Sequence, residues 1–424
     1  MSRISDLIRE LCPSGVPLKT LAELGTITRG KRFVKADMAE SGTPCIHYGE
    51  LYTKYGTWAT QAFSYLNPAL AARLRFARHG DVIVVSAGET VEDIGKSVAW
   101  LGDEDVVIHD ALYAFRSPLD PKYVAYFSQT DDFHNQIRRH ISSSKVSAIS
   151  TENLGKVRIP APPIAVQQEV VKVLDTFSKL EAELEAELEA RRRQYQYYRD
   201  ALLSFDERMS DASKQASKQA SKQASKQASI RWATLNEVAK FKYGFTAKAA
   251  DSGEFRFIRI TDITDGGKLS PVDAKYVDAT EDISDYLVQR GDVLMARTGA
   301  TFGKTVLITD SIPAIYASFL IRIRLNEAEI LPSYYWHFAQ SSFYWQQANN
   351  MVSTGGQPQF NANVLKDIRL PIPPLEEQVR IVSILDKFDA LVNDLSIGLP
   401  AEIKARRRQY EHYRDRLLTF REAA

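Results

Sequence analysis

The stretch RRRQYQYYRDALLSF at residues 191–205 returns at residues 406–420 as RRRQYEHYRDRLLTF, with eleven of fifteen positions identical. The likeness extends upstream. VRIPAPP (157–163) corresponds to IRLPIPP (368–374), and Gln167, Leu174, Asp175, Phe177 and Leu180 correspond to Gln378, Leu385, Asp386, Phe388 and Leu391. Further out the match thins but keeps its order. Thr20, Leu21 and Glu23 answer to Thr234, Leu235 and Glu237; Gly80, Asp81 and Val82 to Gly291, Asp292 and Val293; Gly95, Lys96, Ser97 and Val98 to Gly303, Lys304, Thr305 and Val306; Pro121 and Tyr123 to Pro332 and Tyr334. Self-similarity on this scale is a tandem duplication: globular unit, helical arm, globular unit, helical arm. The arms stayed alike while the globular units diverged, as expected if the arms share one task and the units meet different targets.

Each arm reads as a helix. Pro160, Pro162 and Pro163 block helix before the first arm and mark its start. Val166, Val170, Val173, Phe177, Leu180 and Leu184 step by alternating fours and threes, a coiled-coil seam. Over 166–205 such a helix is about 60 Å long at 1.5 Å per residue. The reiterated LEAE within 180–190 spaces its leucines by four, so the seam drifts there. The second arm repeats the seam with Ile381, Ile384, Phe388, Leu391 and Leu395, and Gly398-Leu399-Pro400 predicts a kink or two helices. A narrow apolar seam needs a partner, and the nearest is the other arm. Tyr195, Tyr198, Tyr410 and Tyr413 are expected to pack arm against arm.

The chain has 424 residues, 44% hydrophobic and 25% charged, the mix of a globular protein with sizeable cores. Lys plus Arg number 54 and Asp plus Glu 53, so the chain is no globally basic binder; contact with nucleic acid must come from local patches or partners. Two cysteines, Cys12 and Cys45, make no disulfide framework and point to a reducing compartment. The longest apolar runs, such as Val82 to Val85, are strand-sized, so no membrane span is expected. Ile4, Leu7, Ile8 and Leu11 form a short amphipathic helix rather than a signal sequence, and the expected location is cytoplasmic. Four SKQA repeats at 213–229 read as a solvated linker, or alternatively as a basic strip beside DNA.

The globular units are mixed. Residues 81–86, 97–101 and 112–115 in the first, and 255–260, 293–296, 305–308 and 319–325 in the second, read as strands; 123–139 and 334–349 read as helical. The fold class is therefore α+β: two mixed domains separated by two long helices, arranged as a pseudo-two-fold tandem duplication. Boundaries are placed at 1–155 (first globular domain), 156–212 (first arm), 213–229 (SKQA linker), 230–366 (second globular domain) and 367–424 (second arm).

Catalytic motifs fail on their spacing. Gly299 to Thr305 resembles a phosphate-binding loop but has three residues between its glycines where four are needed, and an apolar strand pattern follows Lys304. Glu402-Ile403-Lys404 lies in an arm without a strand-borne acid beside it and reads as a surface ion pair. The seven histidines form neither a metalloprotease pair nor a zinc-spaced cluster. The double prolines at 162–163 and 373–374 lack the amide or acid and the aromatic residue of an adenine methyltransferase motif. No catalytic residue, metal ligand or cofactor is assigned to this chain.

Two divergent units with matching arms resemble the specificity subunit of a type I restriction-modification system. The likeness is carried by the proline-led arm starts, the arm ends at 191–205 and 406–420, the opening CPSGVPLKTLAEL (12–24) and PCIHYGELYTKYG (44–56). It implies two target-recognition domains, each reading half of a bipartite site on double-stranded DNA. It also implies arms packed as an antiparallel coiled coil that spaces the domains and docks methyltransferase subunits, two by expectation. Adenine methylation, ATP hydrolysis and cleavage, with their S-adenosylmethionine, ATP and magnesium, would belong to methyltransferase and restriction/translocase partners. SKQA repeats are not part of that family pattern.

Candidate DNA contacts are the cations, amides, hydroxyls and close-approach glycines of the loops. In the first unit these are Arg29, Lys31, Arg32, His47, Tyr48, Tyr52, Lys54, Ser86, Gly88, Ser143 and Lys145. In the second they are Lys242, Tyr243, Arg259, Thr261, Arg297, Thr298, Lys304, Thr354 and Gln357. Arg191, Arg192, Arg193, Arg406, Arg407 and Arg408 are either solvated faces or a partner-docking patch. The competing reading is a coiled-coil adaptor with two protein-binding heads.

Overall fold

The computed structural model describes residues 2–143, 147–205, 230–278, 283–310, 312–352, 360–394 and 397–423. The SKQA segment, Lys145, Thr354 and Gln357 lie outside them, as does the side chain of Ser143. The chain forms two compact units: residues 1–184 with 403–424, and residues 185–402. Each unit therefore contains one globular domain and a stretch of both arms.

In the first unit, strand Leu18–Thr20 pairs antiparallel with Arg158–Pro160, closing the domain at the root of the arm. The central sheet runs Thr26–Arg29, Leu112–Arg116, Val82–Val85, Ser97–Trp100, Trp58–Ala59. All four residues of Val82–Val85 are buried, as a β-branched run at the middle of a covered sheet should be. A second sheet runs Met38–Ala39, Ser64–Leu66, Thr43–Ile46, Val106–Ile108, Phe76–Ala77. Where the sequence predicted one helix over 123–139 there are two, Pro121–Phe127 and Asp131–Arg138. Thr130 separates them: its hydroxyl donates to the Phe127 carbonyl and accepts from the Phe133 amide, ending one helix and capping the next.

The second unit repeats the plan. Arg231–Thr234 pairs with Arg369–Ile372. Its central sheet runs Ala239–Tyr243, Leu320–Leu325, Val293–Ala296, Thr305–Leu307, and a smaller one Tyr276–Val277, Phe255–Ile258, Ala314–Tyr316. Helices Pro332–Phe338 and Ser342–Met351 again flank a break, with Ser341 as the cap.

The first arm is one helix of 40 residues, Ile164–Leu203. The second is two helices, Leu375–Asn393 and Leu399–Leu418, with the break where Gly398 and Pro400 predicted it. Within this helix Leu180 is exposed and Leu188 buried.

The residues shared by the two halves fasten domain to arm. Buried Gln167 accepts from the Asp120 amide and donates to the Pro162 carbonyl; buried Gln378 accepts from the Leu331 amide and donates to the carbonyls of Glu329 and Pro373. Tyr123 donates to the Pro160 carbonyl and Tyr334 to that of Pro371. Asp175 accepts from Tyr126 and Lys122, and Asp386 pairs with the fully buried His337 at 2.8 Å. Each unit also joins the two arms through one phenylalanine. In the first, Phe177 stacks on Tyr413 (centroids 5.7 Å apart) and lies 6.3 Å from Tyr410. In the second, Phe388 stacks on Tyr198 (5.3 Å) and Tyr195 (6.2 Å). The four arm tyrosines thus do the packing expected of them.

Candidate nucleic-acid interface

The central sheets decide where the candidate residues gather. In the first unit Arg29 ends one strand, Leu112 begins its neighbour and Val85 ends the third; the register sets Tyr113 opposite Arg29 and Leu112 opposite Val85. Three loops therefore leave the sheet at one end: Gly30 to Phe33, His109 to Ala111, and Ser86 to Gly88. The smaller sheet adds a fourth. Ile46 and Ile108 are partners in a parallel pair, so the residues that follow, His47 and His109, come out side by side. Their rings lie 4.6 Å apart, with Tyr48 at 4.5 Å from His47 and Phe33 at 5.2 Å from His109.

This end is rigid. A Cβ on Gly30 would stand 2.1 Å from the His109 carbonyl oxygen, so only glycine lets the two loops touch. Buried Glu50 accepts from the His47 amide, Ser64 and Lys54. His47 Nδ1 accepts from the Gly49 amide and His109 Nδ1 from the Ala111 amide, with the Asp110 carboxylate 3.2 Å from His109 Nδ1. Burial holds both below the usual imidazole range, the neighbouring His109 adding to the effect on His47. Arg29 donates through Nε to the Asp110 carbonyl at 2.8 Å, and Lys31 to that of Arg73. Lys31 and Arg32 are exposed. Tyr52 lies beneath Lys96 and against Gly88, its hydroxyl buried without a partner among the described residues. Ser86 and Gly88 are buried, and the Ser86 carbonyl accepts from the Ile149 amide.

In the second unit the same end is built with different chemistry. Tyr243 stands opposite Ile321 and Ala296 opposite Leu320, so Tyr243 takes the place of Arg29 and Arg297 that of Ser86. Gly244 repeats the close approach: its Cβ would stand 2.2 Å from the Ala317 oxygen. Ile258 and Tyr316 are parallel partners, so Arg259 replaces His47 and Ala317 replaces His109. Asp262 accepts from the Arg259 amide as Glu50 does from His47, and it also pairs with the Arg259 side chain. The Arg297 carbonyl accepts from the Phe360 amide, as the Ser86 carbonyl does from that of Ile149. Arg297 donates through Nε to the Ser318 carbonyl at 3.1 Å, its guanidinium 5.2 Å from the Tyr243 ring and 5.6 Å from that of Phe319. Lys242 is paired with Asp285, Lys304 with Asp265, and Arg259 with Asp273 as well as Asp262. Thr261 lies in the short turn Ile260–Asp262, and Thr298 precedes Gly299–Thr301.

The loop that resembled a phosphate cradle uses its amides internally. Phe302, Gly303 and Lys304 donate to the carbonyls of Gly299, Ala296 and Thr301, and strand Thr305–Leu307 follows. Among the described residues there is no group of three or more His, Cys, Asp or Glu fit to hold a metal, and no helix long and apolar enough to cross a membrane. Sequence reasoning passed over His109, Phe33 and Phe319. Each comes next to a named candidate only through pairing between distant strands, a signal absent from local spacing.

In the arms, Arg191 pairs with Glu187, Arg192 with Glu189 and Arg407 with Glu181, while Arg193, Arg406 and Arg408 are exposed.

The sequence matches the profile of the family described as "Type I restriction modification DNA specificity domain" twice, at residues 13–190 and 231–405. It is 31% identical over 295 residues to a putative type I restriction enzyme specificity subunit of Haemophilus influenzae, covering 66% of this chain and 68% of that protein. It is 32% identical over 295 residues to the EcoR124I/EcoR124II specificity subunit of Escherichia coli, covering 64% of this chain and 65% of that one. These alignments span about two thirds of each relative. A solved structure titled for complex assembly and conformational transition of the type I R-M system has the same fold, with a TM-score of 0.56 at 16% identity over 95% of this chain and 97% of that one.

Proposed function

The chain belongs to the type I restriction modification DNA specificity family, and from that premise we propose how its parts divide the work. The domains 1–155 and 230–366 each read one half of an asymmetric, bipartite site on double-stranded DNA, through the loops at the Arg29 and Arg297 ends of their central sheets. The observation that carries this reading is the shared construction of those ends. Strand register and close-approach glycine are repeated, while the side chains presented differ, as two readers of unlike sequences require.

The arms, 156–212 and 367–424, form an antiparallel coiled coil that spaces the readers in a pseudo-two-fold arrangement. Support comes from the order of contacts in the first unit, where Phe177 meets Tyr413 and Glu181, further along, meets the earlier Arg407. Residues 213–229 link the halves. The arginines 191–193 and 406–408 dock methyltransferase subunits, two per chain. The chain itself is not catalytic: adenine methylation, ATP hydrolysis and cleavage, with S-adenosylmethionine, ATP and magnesium, belong to the methyltransferase and restriction subunits. The assembly works in the cytoplasm, without a membrane.

The test is to map methylated adenines in cells carrying this chain with its methyltransferase subunits. Two unlike half-sites at a fixed gap are expected. Methylation without sequence preference, or duplex binding by the complex that is indifferent to salt, would return the chain to a protein-binding adaptor. Inserting one further LEAE block should lengthen the first arm by about 6 Å and widen the gap by one or two base pairs; an unchanged gap would refute the spacer role.

A further inference from the structure

We propose that Arg297 and Arg29 are the guanine-reading residues of the two half-sites: the same anchored guanidinium, delivered from different strands. The inference rests on the reading of the two sheet ends as DNA readers and names what they recognise.

The carbonyl that anchors each arginine occupies one place in the repeated fold. The amide of Gly30 donates to the Leu112 carbonyl, and that of Gly244 to the Leu320 carbonyl. Two residues before these lie Asp110 and Ser318, whose carbonyls accept from Arg29 Nε and Arg297 Nε. Arg29 ends the edge strand Thr26–Arg29, whereas Arg297 follows the inner strand Val293–Ala296. The position of Arg29 is filled in the second unit by Tyr243, and that of Arg297 in the first unit by Ser86. Two strand ends thus supply one guanidinium to one anchor, from opposite choices. Residue-by-residue divergence without constraint would not keep the anchored group while moving its origin.

The geometry then selects a base over a phosphate. With Nε tied back to a carbonyl, the two terminal nitrogens of each guanidinium point away from the anchor as a planar fork. That fork matches the O6 and N7 acceptors of guanine in the major groove. Arg297 is further held against the rings of Tyr243 and Phe319, so little side-chain freedom is lost on contact. Arg297 also differs from the other charged candidates of its unit. Lys242, Arg259 and Lys304 are each matched to an aspartate, whereas Arg297 has no acidic partner among the described residues. Arg29 is likewise held by a carbonyl rather than an acid.

The experiment uses the full chain assembled with its methyltransferase subunits and a pool of duplexes randomised across both half-sites. Wild-type selection should return a G·C pair in each half. Arg297→Gln should lower discrimination for guanine ~10- to 100-fold at one base pair of one half-site, with a drift towards adenine, and leave the other half unchanged. Arg29→Gln should do the same in the opposite half. The untouched half-site reports in each case that the complex is folded and assembled, and Arg297→Lys, which keeps the charge, should still weaken the preference. Weaker binding to all duplexes alike, with a shallower salt dependence, would make these residues phosphate contacts and overturn the inference. So would a variant selecting the wild-type sequence. A wild-type complex that selects no sequence at all would instead defeat the underlying reading that the sheet ends meet DNA.

Discussion

The two sheet ends are one framework carrying two surfaces. In the first unit the residues after the parallel pair are His47 and His109, rings packed among Phe33 and Tyr48. In the second they are Arg259 and Ala317, and the rings, Tyr243 and Phe319, lie beside Arg297 instead. What did not change is main chain: the order of the four central strands that both units share, the glycine beside a carbonyl, and the hydrogen bonds from Ile149 and Phe360 to the carbonyls of Ser86 and Arg297. The contrast shows that this end of each central sheet is held largely through backbone contacts, which are indifferent to the side chains presented there, and so leaves those side chains free to diverge.

The most drastic way to break this comparison is exchange. Replacing residues 230–366 with the corresponding domain of another family member should replace one half-site completely and leave the other intact, read by methylome sequencing. A change in both halves would mean that the units do not read independently.

Next in size is the buried acid beneath each sheet. Asp81 pairs bidentately with Arg116, which is half exposed; Asp292 pairs with Arg324 and also faces the nearly buried Arg322. Both also accept from a backbone amide, of Arg78 and Gln289. Asp292→Ala should cost about 3 kcal/mol because it strands a buried guanidinium. Asp81→Ala should cost about 2 kcal/mol, since water can reach Arg116. Thermal unfolding of the two variants should rank them in that order.

The units should also part company on acidification. His47, His109 and His134, all in the first unit, are held by burial below the ordinary imidazole value. Below about pH 6.5 the unfolded chain binds more protons than the folded one. Stability is therefore complete above that pH and is lost as pH falls towards the lowered folded values. Protonation would also remove the Nδ1 acceptors used by Gly49 and Ala111. The second unit holds a single histidine, His337. Hydrogen exchange read separately over the two units between pH 7 and 5 should show the first loosening more; equal loosening would remove the distinction.

Smallest is the arm contact between Arg407 and Glu181, both partly solvated. Glu181→Gln should shift unfolding by under about 1 kcal/mol, and added salt should shrink even that.

The sequence by itself determined the duplication, the arm helices, the break at Gly398, most core strands and the absence of a complete catalytic motif. These rest on identity, on hydrophobic period and on motif spacing, all local or countable properties. It also singled out Arg29, His47, Tyr243 and Arg297 as loop residues, although Arg29 and Tyr243 prove to be the last residues of strands. Only the tertiary structure decided which of them converge. Strand pairing brings together residues far apart in the chain, Leu18 with Pro160 and Arg29 with Tyr113 among them, and no local pattern records that. The split of each predicted helix was missed because Thr130 and Ser341 act as caps only once the turn before them is folded. Partnership was equally hidden: Lys304 and Arg297 look alike in a sequence, and only the folded chain gives one an aspartate and the other two aromatic rings. Charge is a property of a residue, but its availability to DNA is a property of its neighbours.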